Sequence, residues 1–142
     1  MTANPAHKPG RIREMSEAEC REMITTTTVG RIAFVDDDGQ QLIPVNFAFI
    51  DEAIYFRTLS DGFLAQLARK QREVAFGVDH HDDTYRLGWN VTVKGIVEQI
   101  EDRATINKVL NHGRLAPWAG GVRPLVMRVS PSSMQGRRVV GH

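Results

Sequence analysis

Arg57, Thr58 and Ser60 stand close together in the segment IYFRTLSDGFLAQL, where a strand pattern runs into a helix pattern. A guanidinium and two hydroxyls delivered to a helix start form a candidate anion cradle. The first backbone N–H groups of a helix lack intrahelical partners, and the helix dipole is positive at that end. The same residues also suit a strand-end arginine in a surface ion pair and a serine that only caps the helix. Spacing alone leaves both open.

A second candidate lies just upstream at Pro44-Val45-Asn46. Proline cannot donate to a sheet ladder, and asparagine brings an amide into an otherwise apolar strand. That pair suits the edge of a planar heterocycle with its own donors and acceptors, such as an isoalloxazine. It equally suits an edge strand protected against further pairing. Asp79-His80-His81-Asp82-Asp83 offers imidazole and carboxylate ligands. Adjacent histidines in a strand point to opposite faces, and no second segment stands at ligand spacing, so a solvated loop without metal is expected. Trp89 and Trp118 could cover a cofactor ring or belong to the core. The chain has no GxGxxG, GxxxxGK[ST], HExxH, GxSxG or CxxC, and no histidine–carboxylate arrangement that nominates an acid–base catalyst. A cofactor cradle without a catalytic side chain points to chemistry carried by the cofactor.

The bulk numbers set the frame. At 142 residues the chain is the size of one ordinary domain with one core. Its 42% hydrophobic and 25% charged content is that of a soluble globular protein. Lys+Arg 18 against Asp+Glu 17 leaves a net charge of +1, so no bulk attraction to nucleic acid or to an anionic membrane is expected. The single cysteine, Cys20, excludes an internal disulfide and suits a reducing compartment. Residues 1–15 carry no apolar core of a secretory signal, and no run approaches the roughly 20 apolar residues of a membrane helix. A cytoplasmic protein is expected.

These candidates must be positioned by the elements around them. Residues 1–14, with two prolines and a glycine, read as a mobile or surface-laid arm, and 15–142 as a single domain. Ser16 and Glu19 make a capping box, with Met15 and Cys20 as its hydrophobic staple, and the helix should end near Thr25–Thr28. Val29–Val35 reads as a strand, Asp36-Asp37-Asp38-Gly39 as a turn, and Gln41–Ile50 as one long strand. Asp51-Glu52 turns the chain into a strand over Ala53–Thr58. Ser60 then caps a helix with Leu64, Leu67 and Ala68 as its buried stripe. Glu73–Asp79 is a strand, His80–Thr84 a polar loop, and Gly88–Ile100 a long strand with a bulge at Gly95. Asp102 caps a short helix, Asn111–Pro124 is a loop, and Leu125–Val129 is the last strand, with Gly136-Arg137-Arg138 leading into the tail. Six or so strands in hairpin succession with three short helices predict a mainly β fold, a closed or partly closed antiparallel barrel.

The order VGRIAF, IPVNF, IYFRT with its capped helix, EVAFGVD and GWNVTVKG resembles the pyridoxamine 5′-phosphate oxidase-like family of flavin-binding proteins. Within it, the chain looks like small members near the nitroimidazole-resistance and flavin/deazaflavin reductase groups. The resemblance spans roughly residues 15–100, and more loosely the PW loop and last strand. It implies a six-stranded split β-barrel, a homodimer, and two FMN sites at the subunit interface serving a flavin-dependent oxidoreductase. By position, Pro44, Val45 and Asn46 would meet the ring edge and Arg57 and Thr58 the ribityl-phosphate. Ser60 and the helix start, Phe63 and Leu64, would help to hold the phosphate. Trp89 and Asn90 would lie near the ring or phosphate, and Trp118 and Arg137 would come from the partner. Relatives commonly carry a lysine where Phe63 follows Gly62, so a phosphate cation is missing, for which Arg57 or Lys94 would have to compensate. Deazaflavin F420 in the same fold, or a flavin-binding sensor without turnover, are the alternatives the resemblance leaves.

Overall fold

The computed structural model of the chain describes residues 10–59, 62–113, 115 and 125–141. Eight strands form one antiparallel sheet, in the order β3-β2-β6-β7-β8-β5-β4 with β1 added beside β8. They are β1 (Arg11–Met15), β2 (Val29–Asp36), β3 (Gly39–Asn46), β4 (Ala48–Ile50), β5 (Ala53–Thr58), β6 (Glu73–Asp82), β7 (Leu87–Ile100) and β8 (Leu125–Val140). Three short helices, α1 (Glu17–Ile24), α2 (Phe63–Arg69) and α3 (Arg103–Leu110), lie between them.

The stretch expected as one strand, Gln41–Ile50, is two, and the break is a change of partner. β3 pairs with β2, Ile43 opposite Ile32, whereas β4 pairs with β5, Phe49 opposite Ile54. Phe47 stands between them, its N–H bonded to the carbonyl of Thr28 at 3.0 Å. The two ends of the sheet are therefore halves of one bent segment, and the sheet curls back on itself as a split half-barrel. Counting β3 and β4 as one path and β1 as an added edge, six strands go around the barrel, as the resemblance implied.

The core fills this curl. Phe47, Phe56 and Phe76 are fully buried with Ile32, Ile54, Val91, Val93, Val97, Met127 and Val129. The rings of Phe47 and Phe76 meet edge to face, 4.9 Å between centroids. Gly30 makes room for them, because a Cβ there would lie 2.2 Å from Phe76 Cζ. α1 and α2 close the core with Cys20, Ile24, Leu64 and Leu67, and a second cluster under α3 joins Val109 to Ile50, Ala53 and Tyr55.

Local chemistry sets the element ends. Ser16 Oγ accepts from Glu19 N at 3.1 Å and Glu19 Oε1 from Ser16 N at 3.2 Å, so the expected capping box is present, with Met15 and Cys20 buried beside it. Past Ile24, the hydroxyls of Thr25 and Thr26 bond back to the carbonyls of Glu22 and Met23, which closes the helix. Gly39 turns the β2–β3 hairpin at φ +106°. Asp102 caps α3 through Thr105 N at 3.0 Å. The bulge falls between Lys94 and Gly95, where a Cβ would sit 2.0 Å from the Ser130 carbonyl oxygen.

Four expectations need correction. β6 runs on to Asp82, so His80 and His81 are ladder residues opposite Trp89 and Gly88, not a loop. Long β7 offers them partners, and ladder pairing outweighs their polarity. The last strand likewise continues to Val140, because β7 and then β1 carry its pairing far beyond Val129. The final residues of the stretch read as an arm, Arg11–Glu14, are laid along β8 as an exposed edge strand. Finally, the N-cap position of α2 is Gly62, two residues past the expected Ser60, which lies outside the described residues.

The turn between β4 and β5 is unusual. Asp51 and Glu52 both lie in the left-handed region, at φ 49° and 65°. A two-residue hairpin of this form favours Asn-Gly, and a side chain there costs about 1–2 kcal/mol per residue, less for Asp.

Candidate functional site

At the split in the barrel β3, which ends in Pro44-Val45-Asn46, touches β5, which ends in Arg57-Thr58. In the β4–β5 ladder Ala48 faces Tyr55. The β4–β5 ladder ends at that row, and Asn46 pairs instead with Val29 of β2, so the pairing opens there. β3 and β5 still touch across this notch. Pro44 lies on the strand edge that faces the split, exposed and without a donor to offer it. Val45 packs its side chain inward against the core.

Two polar residues at the notch stand out. The side-chain Nδ2 of Asn46 is buried and has no hydrogen-bond partner. Leaving such a donor unmade costs about 1–3 kcal/mol, which a fold retains where something else uses the group. Thr58 is the buried polar residue of the core, at 8% exposure, and Arg57 beside it is half-buried. Beyond them the chain turns through Gly62 into α2. A Cβ on Gly62 would lie 3.4 Å from Thr58 Oγ1, ordinary contact distance, so the helix start is next to that hydroxyl.

The remaining expected residues fall elsewhere. Leu64 is in the core at 5% exposure and Trp89 at 9%, so both face inward rather than into the notch. Phe63 opens α2. Ser60 and Trp118 lie outside the described residues. Asn90 and Arg137 are direct cross-strand neighbours on β7 and β8, both exposed. With Lys94, Thr92, Gln135 and Glu14 they line a polar hollow of about 580 Å³. Pro44, Arg31, Gly77, Thr92 and Gln135 form one cross-strand row. The hollow is thus three to four strands around the sheet from Pro44, roughly 14–19 Å along its surface. Within one chain, Asn90, Lys94 and Arg137 do not join Arg57 and Thr58.

Between notch and hollow, the outer face carries the small residues Ala33, Ala75 and Gly77, bordered by exposed Leu42 and by the Arg31–Asp79 pair at 3.2 Å. Sequence reasoning missed this surface, since a run of small residues only becomes a face once the register aligns them. Among the described residues, no three His, Cys, Asp or Glu side chains gather as metal ligands. No described helix is long and apolar enough to cross a membrane.

The fold falls in the class of antiparallel split β-barrels. The chain belongs to one family of that class, Pyridoxamine 5′-phosphate oxidase, whose pattern it matches over residues 16–138. Its fold is similar to that of an FAD-binding protein from Mycobacterium smegmatis, at 26% identity and TM-score 0.74, over 89% of this chain and 97% of that one. An FAD-binding protein from Mesorhizobium loti shares the fold at 22% identity and TM-score 0.74, over 91% and 99% of the two chains. A Mycobacterium tuberculosis protein, Rv0080, is 25% identical over 132 residues, covering 89% of this chain and 85% of its own length.

Proposed function

We propose that the protein binds a flavin nucleotide at the notch and uses it in oxidoreduction of a small molecule. The observation that carries this reading is the buried, unpartnered Asn46 amide, at the end of β3, which touches the strand β5 that carries Arg57 and Thr58. A flavin ring presents carbonyl and nitrogen acceptors to such a donor, and Pro44 leaves the adjoining strand edge open to it. Arg57, Thr58 and the start of α2 would hold the phosphate, the guanidinium contributing a charge-assisted bond. The bound flavin would supply hydride transfer, and this chain would supply orientation and electrostatics.

The flavin is proposed as FMN. The Mycobacterium smegmatis relative is named for FAD binding, which supports testing the dinucleotide beside it. F420 on the same fold, and a flavin-binding protein without turnover, are the competing readings. Phe63 at the position of a common lysine lowers the cation count at the phosphate. A homodimer would bring a second copy's Asn90, Lys94 and Arg137 to the interface, three polar groups that stand apart from the notch in one chain. A buried Cys20 without a disulfide supports work in the cytoplasm.

The purified protein is expected to be yellow and to release its cofactor on denaturation, where chromatography against FMN, FAD and F420 names it. A colourless protein that takes up none of the three on addition would overturn the reading. Flavin binding without reduction by NAD(P)H or F420H2 would favour the non-catalytic alternative.

A further inference from the structure

We propose that Asp51 and Glu52 are positioning residues, whose carboxylates suspend the β4–β5 hairpin between α1 and α3 and so set the width of the notch. Aspartate is tolerated at the first position of such a turn, but a glutamate at the second, where glycine is favoured, has no local backbone reason. Each carboxylate is instead taken by a cation from a different helix. Arg21 Nε of α1 reaches Glu52 at 2.5 Å, and Lys108 of α3 reaches Asp51. Arg21 is steadied on its own helix by Glu17 at 3.4 Å.

On the α3 side the hairpin packs Ile50, Ala53 and Tyr55 around Val109. A hollow of about 470 Å³ lies there, floored by Ile50, Ala53 and Tyr55, with the Lys108–Asp51 pair on its lining. Across that hollow the Lys108–Asp51 pair ties helix to hairpin beside the apolar contact. The hairpin has only three paired rows, from Ile50–Ala53 to Ala48–Tyr55. One end is the tied turn, and past the other, Ala48–Tyr55, the two strands run on to Asn46 in β3 and to Arg57 in β5. A rigid short ladder transmits a tilt at one end to the other. Exposed ion pairs contribute little net stability, so the ties are better explained by geometry than by stability. Asp51 and Glu52 would thus do for the notch what a supporting shell does for any binding site.

The ligand half of the test rests on the flavin reading above, and the other half does not. Asp51→Asn with Glu52→Gly installs the favoured turn and removes both ties. Its thermal midpoint is expected to equal or exceed the native one. Amide hydrogen exchange at Asn46–Ala48 and at Arg57–Thr58 should quicken about fivefold, the scale of two surface pairs. FMN affinity should weaken by a similar factor. Unchanged exchange in a stable variant overturns the proposal, whatever FMN does. If the native protein binds no FMN, the flavin reading fails while exchange still decides this one. A swap keeps the test open should that variant not fold. Glu52→Arg alone should quicken exchange at the notch, and adding Arg21→Glu should restore it. Equal exchange in the single and the swapped variant overturns the proposal.

Discussion

Replacing Asn46 by leucine separates stability from binding at the notch. The Nδ2 of Asn46 is buried and unpartnered, so the substitution removes a desolvated donor without breaking a bond that atom makes. An orphaned buried donor costs about 1–3 kcal/mol. Leucine has the same branched, four-heavy-atom side chain as asparagine but is larger, so part of the gain is offset by tighter packing. The flavin-free protein should therefore gain about 1 kcal/mol, the low end being taken because the residue sits at an opened ladder. For a domain of this size that is a rise of roughly 3–5 °C in Tm. The bound flavin loses one neutral hydrogen bond, about 0.5–1.5 kcal/mol, or roughly three- to tenfold in Kd. Urea unfolding of the flavin-free protein and fluorescence titration with FMN read the two effects separately. A leucine variant that is less stable than the native protein would refute the reasoning, because the amide would then have been satisfied in the fold. A more stable variant that binds FMN as before would leave the orphan without a ligand role.

Three other outcomes follow from the same contacts. Gly30→Ala drives a Cβ to 2.2 Å from Phe76 Cζ in a core where Phe47 already abuts that ring. About 2–3 kcal/mol of destabilisation is expected by denaturant unfolding, largely recovered when Phe76→Leu is added, and an unaltered Gly30→Ala midpoint would contradict the packing. Arg57→Ala should loosen FMN by about 1.5–3 kcal/mol in titration, and unchanged affinity would return Arg57 to a structural part. Two bonds from Arg13 and one from Ser16 N hold the Glu19 carboxyl down from 4.5 to about 2. A carboxyl depressed in the fold contributes fully above its unfolded value and loses that contribution as pH falls towards its folded one. Between pH 4.5 and 2 the native urea midpoint should fall more steeply than that of Glu19→Gln, and parallel curves would show the contacts to be without effect.

Much of this was legible in the chain itself. The capping box at Ser16 and Glu19, the Asp102 cap, the turn at Gly39 and the bulge at Gly95 depend on neighbours a few residues apart, or on a glycine whose need is local. Alternation over Gly88–Ile100 separates Trp89, Val91 and Val93 from Asn90, Thr92 and Lys94, and the barrel keeps that division. The strands that carry the two segments expected to meet a cofactor, β3 and β5, touch.

What the sequence could not decide was where a strand changes partner. Gln41–Ile50 has strand composition throughout, and nothing in its alternation marks Phe47 as the residue where β3 leaves for β2 and β4 for β5. That choice depends on a carbonyl at Thr28 and a ring at Phe76, which are distant in sequence. The same holds for His80 and His81, polar residues held in a strand because long β7 lies opposite them. It holds for Asn90 and Arg137, far apart in the chain and adjacent in the ladder. Local spacing determines caps, turns and the two faces of a strand, since those energies involve near neighbours. The split, the orphaned Asn46 amide within it and the tied turn behind it follow from register between distant strands, which only the tertiary structure decides.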